Sequence, residues 1–175
     1  MKHLALIRHA KSSWKFPQLS DHDRPLNKRG KRDAPMMAQR LAAGNSGIEV
    51  IISSTAKRAV GIAEPIALTL DIPLLEDPEL YTFSANTLLG KLLKLPNYYH
   101  SVAIVGHNPA ISDAACELLA DTTDKAFATE LPGLHLPTSA IVGIDANIHQ
   151  WNKLSKSDCR ISYIDYPKKP SQQQG

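Results

Sequence analysis

Residues 3–10, His3-Leu4-Ala5-Leu6-Ile7-Arg8-His9-Ala10, form a short unbroken apolar run that ends on an arginine and a histidine. A segment of strand length that is apolar at successive positions is covered on both faces, as in a sheet buried between helices. Two further runs share this character, 48–52 (Ile-Glu-Val-Ile-Ile) and 101–106 (Ser-Val-Ala-Ile-Val-Gly). Between them lie segments with helical spacing: Ala34, Met37, Ala38, Leu41, Ala42; then Leu88, Leu89, Leu92, Leu93; then Ile111, Ala114, Ala115, Leu118. Strands alternating with helices predict an α/β layered fold. Residues 139–145 and 160–166 read as further strands with no helix between them, which suits an antiparallel edge. Pro35 and Pro65 fall inside helical patterns, where kinks or late helix starts are expected.

With 175 residues and 43% hydrophobic composition, the chain suits one domain with a sizeable core. We expect that domain over residues 1–166, with a disordered tail over 167–175 (Pro-Lys-Lys-Pro-Ser-Gln-Gln-Gln-Gly). No apolar run approaches a membrane span or a secretory leader, and Cys116 and Cys159 stand far apart, so two reduced thiols in a cytoplasmic protein are expected. The net charge of +3 gives no argument for nucleic acid. The densest basic run, Lys28, Arg29, Lys31 and Arg32, reads as a solvated helix face or as a dock for an acidic partner.

Three predicted strand ends carry the chemistry: Arg8-His9-Ala10, Ser53-Ser54-Thr55-Ala56-Lys57-Arg58 and Gly106-His107-Asn108-Pro109. Ligands of open α/β sheets bind beyond the carboxyl ends of the strands, so these loops should converge and bring two histidines and two arginines to one pocket. Asn108 reads as a helix N-cap with Pro109 as the first helical residue, and Ser53, Ser54 or Thr55 could cap the helix that carries Arg58. Helix N-termini and guanidinium groups together suit a phosphate dianion. Metal binding fits poorly: no pair among the seven histidines has His-x-x-x-His spacing, and arginines repel a cation. A phosphate-binding Gly-x-x-x-x-Gly-Lys loop and a Gly-x-Ser-x-Gly nucleophile turn are both missing.

Arg8-His9-Ala10-Lys11-Ser12, Asp23-Arg24-Pro25-Leu26 with Arg29-Gly30, Ser53-Ser54 through Arg58 with Ala63-Glu64, and Gly106-His107-Asn108-Pro109 follow one another in an order that resembles the histidine phosphatase superfamily. Within it, the short branch typified by the phosphohistidine phosphatase SixA is most similar. The resemblance implies a phosphoglycerate mutase-like three-layer α/β sandwich, with a mostly parallel central sheet, an antiparallel edge and helices on both faces. It implies His9 as nucleophile, Arg8 and Arg58 as phosphate-binding arginines, His107 as the second pocket histidine, and Arg24 as a substrate-binding residue near the pocket. One departure is Ala10, where the family usually has glycine.

The longer family members carry inserted structure over the pocket that supplies an acid; this chain has little room for it, and Glu79 is the one acidic residue nominated as proton donor. The expected reaction needs no metal and no cofactor: His9 takes the phosphoryl group, and water hydrolyses the phosphohistidine. A phosphorylated protein, such as a phosphohistidine domain, is the expected substrate, because imidazole leaves without a strong acid. A small phosphate ester, acted on by a phosphomonoesterase, is the rival within enzymes, and a non-catalytic phosphate-binding module is the rival outside them. A monomer is expected, with neither nucleic acid nor membrane as partner.

Overall fold

The computed structural model describes residues 1–122 and 135–169. In chain order the elements are β1 (Lys2–Arg8), α1 (Lys28–Ala43), β2 (Val50–Ser53), α2 (Lys57–Leu70), β3 (Leu74–Glu76), α3 (Ala85–Leu92), β4 (Ser101–Gly106), α4 (Ala110–Leu118), β5 (Ile141–Ala146) and β6 (Cys159–Asp165). They build one six-stranded sheet in the order β3-β2-β4-β1-β5-β6. The first four strands in that order run parallel, β5 adds antiparallel to β1, and β6 adds antiparallel to β5. The three-layer sandwich with an antiparallel edge is therefore the observed fold.

The continuous apolar runs have a simple origin. Along β1, Leu4 and Leu6 point into one core with Val102 and Ile104 of β4, Leu88 and Leu92 of α3, and Ala114, Ala115 and Leu118 of α4. Ala5 and Ile7 point into the other with Ala103 and Val105, against Ala34, Met37, Ala38 and Leu41 of α1 and Ile62, Ala63 and Ile66 of α2. A strand side chain alternates faces, so a sheet covered on both faces needs apolar residues at consecutive positions.

Several local expectations change. Neither α1 nor α2 starts at its proline; both run through Pro35 and Pro65, and α1 begins where Asn27 accepts a hydrogen bond from the Gly30 N–H. The exposed three-residue β3 was not expected from the sequence, because its pattern is too short to show a period. Lys28, Lys31 and Arg32 of the basic run are exposed, as a solvated helix face requires, while Arg29 and Arg32 also pair with the fully buried Asp33 on their own helix. At the start of the expected tail, Arg40 of α1 donates to Asp165 and to the carbonyls of Tyr166 and Lys169, and Lys169 Nζ donates to the Ile164 carbonyl. Residues 170–175 of the expected tail lie outside the described residues.

Candidate active site

The carboxyl ends of β1, β2 and β4 are neighbours in the sheet, so the three marked loops do meet. Backbone hydrogen bonds lock them together: His9 N–H donates to Gly106 O (2.9 Å), Ala10 N–H to Arg58 O (3.2 Å) and Ser54 N–H to Val105 O (2.9 Å). From the far side, Ser139 N–H donates to the carbonyls of Arg8 and His9 (3.1 Å each). Ala10 is fully buried and has no positive φ, so the alanine in place of the usual glycine is accommodated without strain. Gly30 is the glycine that geometry does require, since a Cβ there would fall on the Lys11 carbonyl.

His9 and His107 lie with ring centroids 5.1 Å apart. Nδ1 of His9 is 2.8 Å from the Ala10 carbonyl, which can only accept, so the neutral ring carries its proton on Nδ1 and keeps its lone pair on Nε2. Burial pulls the His9 pKa down to about 4, helped by the charges of Arg58, Arg8 and Arg24 and opposed by the Ala10 bond. Burial likewise pulls His107 down to about 3, helped by His9 and Arg58. Nε2 of His107 lies 2.8 Å from Ser54 Oγ, while its buried Nδ1 has no partner among the described residues.

The two arginines are held in parallel ways. Arg8 Nη1 donates to the Leu136 carbonyl (2.6 Å), which also accepts from Asn108 Nδ2 (3.2 Å). Arg58 Nη1 donates to the Asp21 carbonyl (2.5 Å) and Nη2 to Asp21 Oδ2 (2.8 Å). On each of them Nε is buried and has no partner among the described residues. Asn108 is thus no N-cap: α4 starts two residues later, after Pro109, with the His107 carbonyl accepting from Ile111 N–H. The helix carrying Arg58 also lacks a side-chain cap; Ser54 Oγ accepts from Ala56 N–H (3.3 Å), and Thr55 Oγ1 bonds His22 Nε2 (2.9 Å).

Arg24 sits beside the pocket with its donors committed to protein. Nε and Nη2 donate to Asp21 Oδ1 (3.1 and 2.9 Å), Nη1 donates to Ser12 Oγ (2.6 Å), and its guanidinium carbon lies 3.6 Å from the centre of the Trp14 ring. Glu79 does not face this pocket as a free acid. Its exposed carboxylate pairs with Lys91 of α3 at 2.5 Å, and Lys91 pairs with Asp77 as well. Tyr81, two residues on, is the residue that reaches the site: its ring packs edge-on against His107 and His22, and its hydroxyl donates to Asp21 Oδ2 (2.6 Å).

Asp21, His22 and Tyr81 are the site neighbours that sequence reasoning missed, and Ser54, expected as a helix cap, bonds His107 instead. Burial pushes the Asp21 carboxyl up, but hydrogen bonds from Tyr81, Arg58 and Arg24 outweigh it and hold the group well below the ordinary carboxylate range. Among the described residues, no group of three or more His, Cys, Asp or Glu side chains could hold a metal ion. No helix among them is long and apolar enough to cross a membrane.

A sequence model of the histidine phosphatase superfamily (branch 1) matches residues 4–94. The chain belongs to this superfamily. An uncharacterised protein of Mycobacterium tuberculosis is 31% identical over 137 residues, 77% of this chain and 84% of that relative. The structure of a candidate phosphohistidine phosphatase SixA from Agrobacterium tumefaciens superposes with a TM-score of 0.77 at 26% identity, covering 95% of this chain and 98% of that one. The protein histidine phosphatase SixA complexed with tungstate shares the fold, with a TM-score of 0.73 at 23% identity over 94% of this chain and 97% of that one. In this histidine phosphatase the superfamily match spans both loops that carry Arg8, His9 and Arg58, while His107 lies beyond it on β4's end.

Proposed function

We propose that this histidine phosphatase transfers a phosphoryl group to Nε2 of His9 and that phosphohistidine on a partner protein is its substrate. Membership of the superfamily and the likeness to SixA support phosphatase activity. The observation that carries the mechanism is a set of three buried nitrogens without partners, Arg8 Nε, Arg58 Nε and His107 Nδ1, around a histidine whose free lone pair is on Nε2. Buried polar nitrogens almost always have partners, and three exceptions on the loops after three neighbouring strands suit the oxygens of a phosphoryl group.

In the proposed reaction, neutral His9 attacks phosphorus in line with the leaving nitrogen. The P–N bond to the substrate breaks as the P–N bond to His9 forms, and a substrate ring already protonated on its other nitrogen departs as neutral imidazole, needing no proton from the enzyme. Arg8, Arg58 and His107 balance the charge on the equatorial oxygens. Water then attacks the phosphohistidine on His9 and releases inorganic phosphate. The positive charge comes from arginine, and the reading requires neither metal nor cofactor.

Two features favour a protein substrate. The acid nominated from the sequence is tied to Lys91, which suits a leaving group that departs without a strong acid. Trp14 (75% exposed) and Phe83 (52% exposed) flank the site, Trp14 over Arg24 and Phe83 against the His107 ring, where a protein surface can rest on them. A turnover screen with phosphohistidine protein, phosphoserine peptide and sugar phosphates tests this. Preference for phosphohistidine protein is expected, and preference for a sugar phosphate would return the small-ester reading.

A further inference from the structure

Asp21 is the most heavily used side chain at the site. Its two carboxylate oxygens receive Arg58, Arg24 and Tyr81, and its carbonyl receives Arg58 again. The Arg58 side chain is 3% exposed, whereas that of Asp21 is 45% exposed. A half-exposed carboxylate on an irregular loop therefore holds a buried catalytic arginine in place.

We propose that Asp21 is a positioning residue: it clamps the two terminal nitrogens of Arg58 so that the Nε edge of the guanidinium faces the phosphoryl oxygens. This rests on the phosphatase reading above. Arg8 provides the parallel, for it too is held through Nη1 by a protein carbonyl and has a buried Nε without partner. A guanidinium binds an oxyanion through two adjacent N–H groups. With Asp21 on one pair, the pair that includes Nε remains for substrate. Arg24 belongs to the clamp rather than to the substrate, because both of its nitrogens on that side also close on Asp21 Oδ1. The three charges sum to +1, so the carboxylate offsets Arg24 and leaves the charge of Arg58 for the dianion.

The opposite reading is that Asp21 competes with phosphate for Arg58, and the two predict opposite signs. The test uses wild type, Asp21→Ala, Asp21→Asn, Arg58→Ala and the double variant Asp21→Ala/Arg58→Ala. The readouts are kcat/KM on an aryl phosphate and inhibition by inorganic phosphate. A catalytic group misplaced by about 1 Å can lose on the order of 100-fold, so Asp21→Ala should weaken phosphate binding and lower kcat/KM by about 10- to 100-fold. Because Asp21 acts through Arg58, the double variant should be no slower than Arg58→Ala within about twofold.

Tighter phosphate binding in Asp21→Ala would overturn the proposal in favour of competition. Losses that multiply in the double variant would overturn it as well, since Asp21 would then act apart from Arg58. If Asp21→Ala melts early, Asp21→Asn keeps the side-chain shape and carries the same comparison. A wild-type enzyme that hydrolyses the aryl phosphate leaves the phosphatase reading standing whichever way these variants fall. One that neither hydrolyses it nor binds phosphate would overturn both.

Discussion

Lowering the pH should leave the pocket histidines neutral well into the acid range while it destabilises the fold. An unperturbed histidine at 6.5 is only about one-tenth neutral at pH 5.5, whereas one at about 4, the value of His9, is about 97% neutral. The free-enzyme nucleophile is thus expected to be nearly tenfold more available at pH 5.5 than a surface histidine would be. The stability effect has a definite sign. The unfolded imidazole takes up its proton below 6.5 and the folded one only near 4, so the unfolded state binds more protons between these values. Stability is fully present above 6.5 and is lost as the pH falls towards 4. A drop from 6.5 to about 4, at about 1.4 kcal/mol per unit, amounts to about 3 kcal/mol for His9.

Two measurements check this. Histidine side-chain NMR titration, assigned with His9→Asn and His107→Asn variants, should show both imidazoles neutral at pH 5.5. Urea melts at pH 7 and pH 4.5 should show wild type losing more stability on acidification than His9→Asn does, by a sizeable part of that 3 kcal/mol estimate. Asp21 titrates in a lower window and is common to both proteins, so the difference isolates His9. A His9 resonance that titrates between pH 6 and 7 would refute the reasoning, because burial and three arginines would then have failed to hold the ring neutral.

His9→Ala should abolish turnover and the acid-labile phosphoenzyme while the protein still melts cooperatively, and turnover near wild type would remove His9 from the role of nucleophile. Chelator treatment should leave activity unchanged, and a loss that zinc or magnesium restores would contradict an arginine-based site. Trp14→Ala and Phe83→Ala should lower kcat/KM for phosphohistidine protein by about 10-fold or more and for an aryl phosphate by under about threefold, as expected when exposed aromatics anchor a partner. Equal effects on both substrates would mean that these side chains shape the pocket itself.

The fold was legible where one physical requirement dominated. Leu4 to Ile7 and Val102 to Val105 are apolar at every position because helices cover both faces of the sheet. The three marked loops converge because β1, β4 and β2 are neighbours in the sheet, and Arg8, His9, Arg58 and His107 came to one place as expected. What escaped was set by partners distant in sequence. Asp21 lies on an irregular loop without periodicity, and its importance comes only from Arg58, Arg24 and Tyr81, 37, 3 and 60 residues away. Asn108 has an N-cap's composition, yet its amide is drawn to the Leu136 carbonyl. A local propensity of about 1 kcal/mol gives way to such tertiary contacts.

The fate of Glu79 and Tyr81 bears on the substrate. Both follow β3 on the same short turn, and the turn directs them oppositely: Asp77 accepts from the Glu79 N–H, Lys91 draws the Glu79 carboxylate outward, and Tyr81 faces His107. The group that faces the site is a phenol whose proton is already engaged by Asp21, and burial and that same bond push its pKa up from 10. A phenol held more firmly protonated than usual is a poor acid towards an alkoxide, which needs its proton as it departs. An imidazole has no such need when its other ring nitrogen already carries a proton, since it then leaves as a neutral ring. In the proposed reaction the site thus pairs phosphoryl binding by arginine with weak acid catalysis. Under the function proposed above, that combination would favour substrates whose P–N bond is already labile over sugar or serine phosphates, whose P–O bond is not.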